Sequence, residues 1–155
     1  MKKYMVLFAT LLFLTSVGCA QALDDLKSES LNWHINLEEA VKVAQEENKN
    51  ILVNFTGSDW CVWCHRLRDE VFIQDEFKKY ADDNLILVKL DFPRKTKLPE
   101  EEQEYNTNLM YKYGVRGFPT ILLLDSDGNL VRQTGYQQGG AESYIKHIEE
   151  SFIKS

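Results

Sequence analysis

Apolar residues along the 155-residue chain fall into short blocks, and the spacing inside each block predicts an element. Leu37, Ala40, Val41 and Ala44 repeat at i, i+3, i+4 and i+7, the period of a helix buried along one side. Asn36, with Glu39 three residues on, gives that helix a capping-box-like start in which Asn replaces the usual Ser or Thr. Ile51-Leu52-Val53-Asn54-Phe55 is short, apolar and β-prone, which predicts a buried strand. The residues from Arg66 to Phe72 suit a helix, and Leu85 to Leu90 form a second apolar strand. FPRKTKLPEEEQ, residues 92–103, holds two prolines and clustered charges and marks a loop. Pro99 suits a first helical position, and Glu100, Glu101 and Glu102 complement the positive end of the helix that follows. That helix runs to about Tyr113, where Gly114 suits a left-handed cap. Thr120 to Leu124 reads as a buried strand, DSDG (125–128) as a hairpin turn, and Leu130 to Thr134 as the strand that pairs back. Gly139-Gly140 opens a closing helix with Tyr144, Ile145, Ile148 and Phe152 on one face. Alternating α and β elements that finish on a hairpin predict an α/β fold, a central mixed β-sheet flanked by helices, without internal repeats.

The first apolar block has another character. Lys2 and Lys3 precede a run from Tyr4 to Leu14, and the small residues Ser16, Val17, Gly18, Cys19 and Ala20 follow, the layout of a secretory signal. The run is far shorter than the about 20 residues a transmembrane helix needs. Residues 1–22 are therefore set apart as a signal peptide, 23–36 as an N-terminal lead-in and 37–155 as one domain. Ala20-Gln21-Ala22 reads as an A-x-A cleavage site. Ser16-Val17-Gly18-Cys19 resembles a bacterial lipobox with Ser16 where leucine is usual, which would leave Cys19 as a lipidated first residue and anchor the domain to a membrane. Either route predicts a periplasmic or otherwise extracytoplasmic domain.

Composition adds little beyond one core: 44% of residues are hydrophobic and 27% charged. Charge excludes more. Discarding residues 1–22 removes two lysines and no acid, which moves the net charge from −6 to −8. An acidic domain without a basic stripe gives no support to nucleic-acid binding. The basic trio Arg94, Lys95 and Lys97 reads as a solvated loop rather than a docking site.

The signal also takes one of three cysteines with it, leaving Cys61 and Cys64 in SDWCVWCHR (58–66). A bridge closing so short a loop removes little chain entropy from the unfolded state, so a purely structural role is weakly motivated. Zinc sites that are closed and structural need four ligands. Only His65 lies adjacent, while His34 and His147 are distant and in no paired spacing, so redox chemistry is the better reading. A cysteine at the first turn of a helix faces unpaired N–H groups and the positive dipole end, both of which favour thiolate. Cys61 is then the nucleophile and Cys64, one turn on, the resolving sulfur.

The company of this pair resembles the thioredoxin superfamily from about Leu37 to Ile153. The resemblance is carried by ILVNF before the motif, Trp60 directly ahead of Cys61, VKLD at 88–91 and KYGVRGFPTILLLDSDGNLV at 112–131. It implies a single-domain thioredoxin-like fold in which Pro119 is a cis-proline packed beside the CxxC. It also implies that the backbone next to that proline pairs with a substrate strand, which makes Phe118 and Pro119 substrate-binding residues. Trp60 is expected at the contact rim. DWCVWC followed by a helix ending in EVF is most similar to thioredoxin-like reductase domains of the bacterial periplasm, the C-terminal domain of the DsbD reductases among them. The resemblance thus implies a thiol–disulfide oxidoreductase acting on protein disulfides in the reducing direction, reset by a redox partner, with no cofactor and no metal. A monomer is expected, because nothing reads as a dimerisation segment.

Three departures accompany the resemblance. Asn54 stands where the family usually carries a buried aspartate, and an amide cannot titrate. One residue is inserted between Phe55 and Trp60. Val62-Trp63 replaces the common Gly-Pro between the cysteines, so the potential does not carry over. Trp63 reads as packing, His65 as a solvated surface histidine, and Lys89 as a strand-end lysine near Asn54. Two other functions stay open: a binding module with a static bridge, and a metal chaperone using Cys61, Cys64 and His65.

Overall fold

The computed structural model describes residues 31–153. The signal reading, with Cys19 and Ala20-Gln21-Ala22, and most of the lead-in fall outside those residues. At their start, Trp33–His34 forms a short strand, β1. Helix α1 (Leu37–Glu47) begins where Asn36 accepts the Glu39 N–H at 2.8 Å, and Asn48 closes it in the left-handed conformation. Strand β2 (Asn50–Thr56) leads to helix α2 (Val62–Leu67), which continues as a π-helical turn, Arg68–Phe72, closed by the Ile73 N–H on the Arg68 carbonyl at 3.0 Å. Helix α3 (Asp75–Asn84), strand β3 (Leu85–Asp91), helix α4 (Glu100–Lys112), strand β4 (Thr120–Leu124), strand β5 (Leu130–Thr134) and helix α5 (Gly140–Ile153) complete the order.

The strands form one five-stranded sheet in the order β1-β3-β2-β4-β5. β3 is parallel to both β1 and β2, whereas β4 is antiparallel to β2 and to β5, so the sheet is mixed. Side-chain alternation sorts the core into two halves. Ile51, Val53, Phe55, Val88, Leu90 and Leu122 meet α1 and α4 on one face. Leu52, Leu87, Ile121 and Leu123 meet Leu67, Val71, Phe77, Tyr144 and Ile148 from the helices of the other. Because β2 is buried on both sides, it reads as a continuous apolar run rather than an alternating one. Its C-terminal end delivers the chain straight into the cysteine motif.

Three elements differ from the sequence reading. β1 lies inside the lead-in, where Trp33 pairs beside Leu87 and packs its ring on Phe72 at 5.3 Å. The polar stretch 75–84 is helical because Phe77 and Ala81, one turn apart, are both buried. The helix after the motif loosens to a π-turn before Ile73.

Phe77 is fully buried beside Phe72, with ring centroids 5.1 Å apart. Phe77→Ala is expected to lower the unfolding free energy by about 3–5 kcal/mol, read as a shift of the urea midpoint with little change in slope.

Candidate active site

Cys61 and Cys64 are disulfide-bonded, with Cα atoms 5.2 Å apart. Cys61 is the N-cap of α2: its backbone is extended and its Sγ accepts the Cys64 N–H at 3.2 Å. The sulfur thus occupies the place of a capping oxygen, facing N–H groups that no earlier turn satisfies. Both cysteines are buried, each 6% exposed. Between them, Val62 and Trp63 are 74% and 50% exposed and form the outer face of the motif.

The segment ahead of Cys61 is held from several directions. Cys61 N–H donates to the Gly57 carbonyl at 2.9 Å, and Ser58 N–H to Asp91 Oδ1 at 2.9 Å. Asp59 accepts three backbone N–H groups of the β3–α4 loop: Arg94 at 2.9 Å on Oδ1, Lys95 at 2.7 Å and Thr96 at 3.0 Å on Oδ2. These bonds, that from Arg94 foremost, hold the Asp59 carboxyl below its ordinary value of 3.8. Trp60 donates its indole N–H to the Phe92 carbonyl at 2.8 Å. The Arg94 guanidinium lies over the Trp60 ring at 3.6 Å, and Phe118 meets that ring edge-on at 5.8 Å. Gly57 is required by this packing, since a Cβ there would come within 2.5 Å of the Trp60 ring.

Phe118 brings in the third segment of the site. The Phe118–Pro119 peptide bond is cis, and the Phe118 ring also packs on Phe92 at 5.0 Å. Trp60, which directly precedes Cys61, and Phe118 thus pack on each other, with Pro119 next in the chain. His65 is half-buried, not simply solvated: its Nε2 is 2.7 Å from the Ser58 carbonyl, which can only accept, so Nε2 carries the hydrogen. Trp63 packs on Tyr136 at 5.4 Å with Arg66 over its ring at 5.1 Å, and Tyr136 donates to Glu70. Asn54, in register with Lys89, is 7% exposed and its Oδ1 has no hydrogen-bond partner. Among the described residues, no group of three or more His, Cys, Asp or Glu side chains is placed to hold a metal ion.

Asp59, Gly57 and the Arg94 stack are site features the sequence reading missed. Asp59 precedes the motif by two residues and Arg94 lies thirty-odd positions away, so only the fold joins them. Tyr136 and Glu70 carried no signal of their own, being single residues on separate elements.

A cysteine pair at the mouth of a helix, on a helix-flanked mixed sheet that also carries a cis-proline, is the working part of a thiol–disulfide oxidoreductase. The chain belongs to the thioredoxin-like domain family, whose model matches residues 37–150. It is 33% identical over 126 residues to the disulfide bond reductase DsbH of Chlamydia pneumoniae, covering 81% of this chain and 75% of that one. A solved structure of the DsbH oxidoreductase superposes with a TM-score of 0.75 at 33% identity, over 81% of this chain and 87% of that chain. The thioredoxin-related protein DsbJ of Chlamydia pneumoniae is 28% identical over 96% of this chain, which spans only 44% of that relative.

Two predictions test this geometry. Asp59 carries a depressed pKa, so its contribution to stability is fully present above pH 3.8 and is lost as pH falls through the lower, folded value. Asp59→Asn should remove that part of the acid sensitivity; urea midpoints with an unchanged dependence on pH below 3.8 would show that the three N–H bonds contribute nothing to it. Gly57→Ala forces the Trp60 ring aside and is expected to cost about 1–3 kcal/mol, with a changed near-ultraviolet circular dichroism signal from the displaced indole.

Proposed function

We propose that this chain is an extracytoplasmic reductase of polypeptide disulfides, acting as a monomer. The observation that carries this is Cys61 Sγ at the N-cap of α2, accepting the Cys64 N–H. A sulfur so placed is stabilised as a thiolate, the form that attacks disulfides. The reducing direction is supported by the relative that is named a disulfide bond reductase. The signal pattern of residues 1–22 supports a periplasmic site, and Cys19 in its lipobox-like setting supports a lipid anchor on the mature protein.

In the reduced protein, the Cys61 thiolate attacks one sulfur of the substrate disulfide. That S–S bond breaks, a mixed disulfide forms at Cys61, and one substrate sulfur leaves and takes up a proton. Cys64 then gives up its proton and attacks the Cys61 sulfur, which releases the second substrate thiol and restores the Cys61–Cys64 bridge of the present structure. Two electrons and two protons have passed from the dithiol to the substrate, and an external dithiol partner returns them. Trp60, Phe118 and Pro119 supply the substrate surface: the backbone beside the cis-proline pairs with an extended chain while the aromatic rings take its side chains, a reading supported by the packing of Phe118 on Trp60.

The reduction potential of the pair, equilibrated in graded thiol buffers with free thiols trapped, tests the direction. A value near about −270 mV is expected of an electron donor, whereas one near about −120 mV would mean that the protein oxidises its partners and would sink the reductase reading. The order of attack has its own check. Cys64→Ser should accumulate mixed disulfides through Cys61, and Cys61→Ser should accumulate none.

A further inference from the structure

Arg94, Lys95 and Lys97 fall within four positions of a chain whose net charge is −6. As sequence they read as a solvated loop. The fold joins them to the motif. Three consecutive N–H groups of this loop converge on Asp59, the Phe92 carbonyl takes the Trp60 indole, and the Arg94 guanidinium covers the Trp60 ring. Asp59 and Trp60 are the two residues directly ahead of Cys61, so the loop is fixed relative to the attacking sulfur.

That anchoring uses the loop's backbone and the Arg94 guanidinium, and does not draw on the Lys95 and Lys97 ammonium groups for a hydrogen bond. Arg94, Lys95 and Lys97 are exposed, and none takes part in a salt bridge among the described residues. With Asp91, Gln103 and Thr107 they border a cavity of about 390 Å³. Against the three positive charges stand two negative ones, Asp91 with Oδ1 on the Ser58 N–H and Asp59 beneath the Arg94–Thr96 backbone, so the border remains net positive. Glu100, Glu101 and Glu102 open α4 but do not line the cavity.

We propose that this cavity receives an acidic side chain of the polypeptide whose disulfide engages Cys61, so that the protein favours cysteines with Asp or Glu nearby. The inference rests on the reductase reading above. Phe92 and Arg94, which line the cavity, touch Trp60, and Phe92 packs on Phe118, where the reductase reading puts an extended substrate. A chain that is acidic overall repels acidic partners except where its positive charge is concentrated, so a patch fixed beside the nucleophile sets orientation as well as rate. Gln103 adds a neutral amide donor that suits a carboxylate, while the Thr107 hydroxyl donates to the Gln103 carbonyl at 2.7 Å.

The test compares two disulfide-linked peptides that differ only in the residues flanking the cysteine, glutamate in one and lysine in the other. Both are reduced by the dithiol form of the wild type and of Lys95→Glu/Lys97→Glu, with hydroxyethyl disulfide as a small uncharged control. The acidic peptide should react about tenfold faster with the wild type. Its advantage should collapse at 1 M salt, where the screening length is about 3 Å, and reverse in the double variant. Hydroxyethyl disulfide should react equally with both proteins. Equal rates for the two peptides, or a preference that survives in the double variant, would overturn the assignment. Failure of the wild type to reduce hydroxyethyl disulfide would instead remove the reductase reading, and this assignment with it. Equal peptide rates together with binding to phosphatidylglycerol vesicles that the double variant loses would give the loop to an anionic membrane surface and overturn the acidic-substrate proposal.

Discussion

β2 is paired along both edges and covered on both faces, and that double burial is what the site depends on. Its register against β3 puts Val53 beside Val88 and Phe55 beside Leu90, while β4 sets Leu122 opposite Val53 on the other edge. A one-residue slip would turn Leu52 into the α1 face and Val53 into the other, exchanging every contact in both halves of the core. The strand ends at Thr56, and the cysteine motif begins five residues later. So short a tether on so constrained a strand leaves the motif little freedom, which suits a reaction that needs three sulfurs aligned in turn.

The loop from Gly57 to Trp60 turns that constraint into chemistry. It is fastened almost wholly by backbone groups of the neighbouring β3–α4 loop, with one carboxylate gathering three N–H donors. The same donors, left unpaired, would have to find water or an anion. Asp59 therefore satisfies this N–H cluster with a side chain of the protein itself, and of the loop's basic side chains Arg94 turns onto Trp60. Trp60 is fixed in a comparable way: a hydrogen bond at its edge, Arg94 over its ring and Phe118 perpendicular to it, with Gly57 making room. An exposed cation–π contact is worth only about 0.5–1 kcal/mol, so no single partner fixes the ring. The combination does.

Much of this fold was legible in the sequence, because strands buried on both faces and helices buried on one leave different apolar periods. Ile51–Phe55 and Thr120–Leu124 showed as unbroken runs, and Gly114 takes the positive φ its cap position required. α3 was not legible: only Phe77 and Ala81 of its ten residues are buried, too few to raise a period above its charged background. β1 was hidden by length, since two residues have no pattern. The cysteines of the site were legible from spacing and the cis-proline only through the resemblance. Asp59, Arg94 and Gly57 were not, as their roles exist only once two loops distant in sequence are brought within hydrogen-bonding reach.

The two cysteines, equally buried in the bridged state, part company once the bridge opens. On the mechanism proposed above, Cys61 keeps the Cys64 N–H, which favours its charged form, whereas Cys64 lies one turn into α2, where burial disfavours a charge. Resolution of the mixed disulfide nevertheless requires Cys64 to lose its proton. In the resembled family a buried aspartate stands at the position of Asn54, and an amide in that place takes up no proton at any working pH. The Asn54 Oδ1 is nonetheless buried without a partner, at a cost of about 1–3 kcal/mol. A retained acceptor that cannot titrate leaves β2 able to orient a donor but not to act as base. On that mechanism, the proton from Cys64 then leaves through water or another group, because β2 offers no titratable side chain at this position.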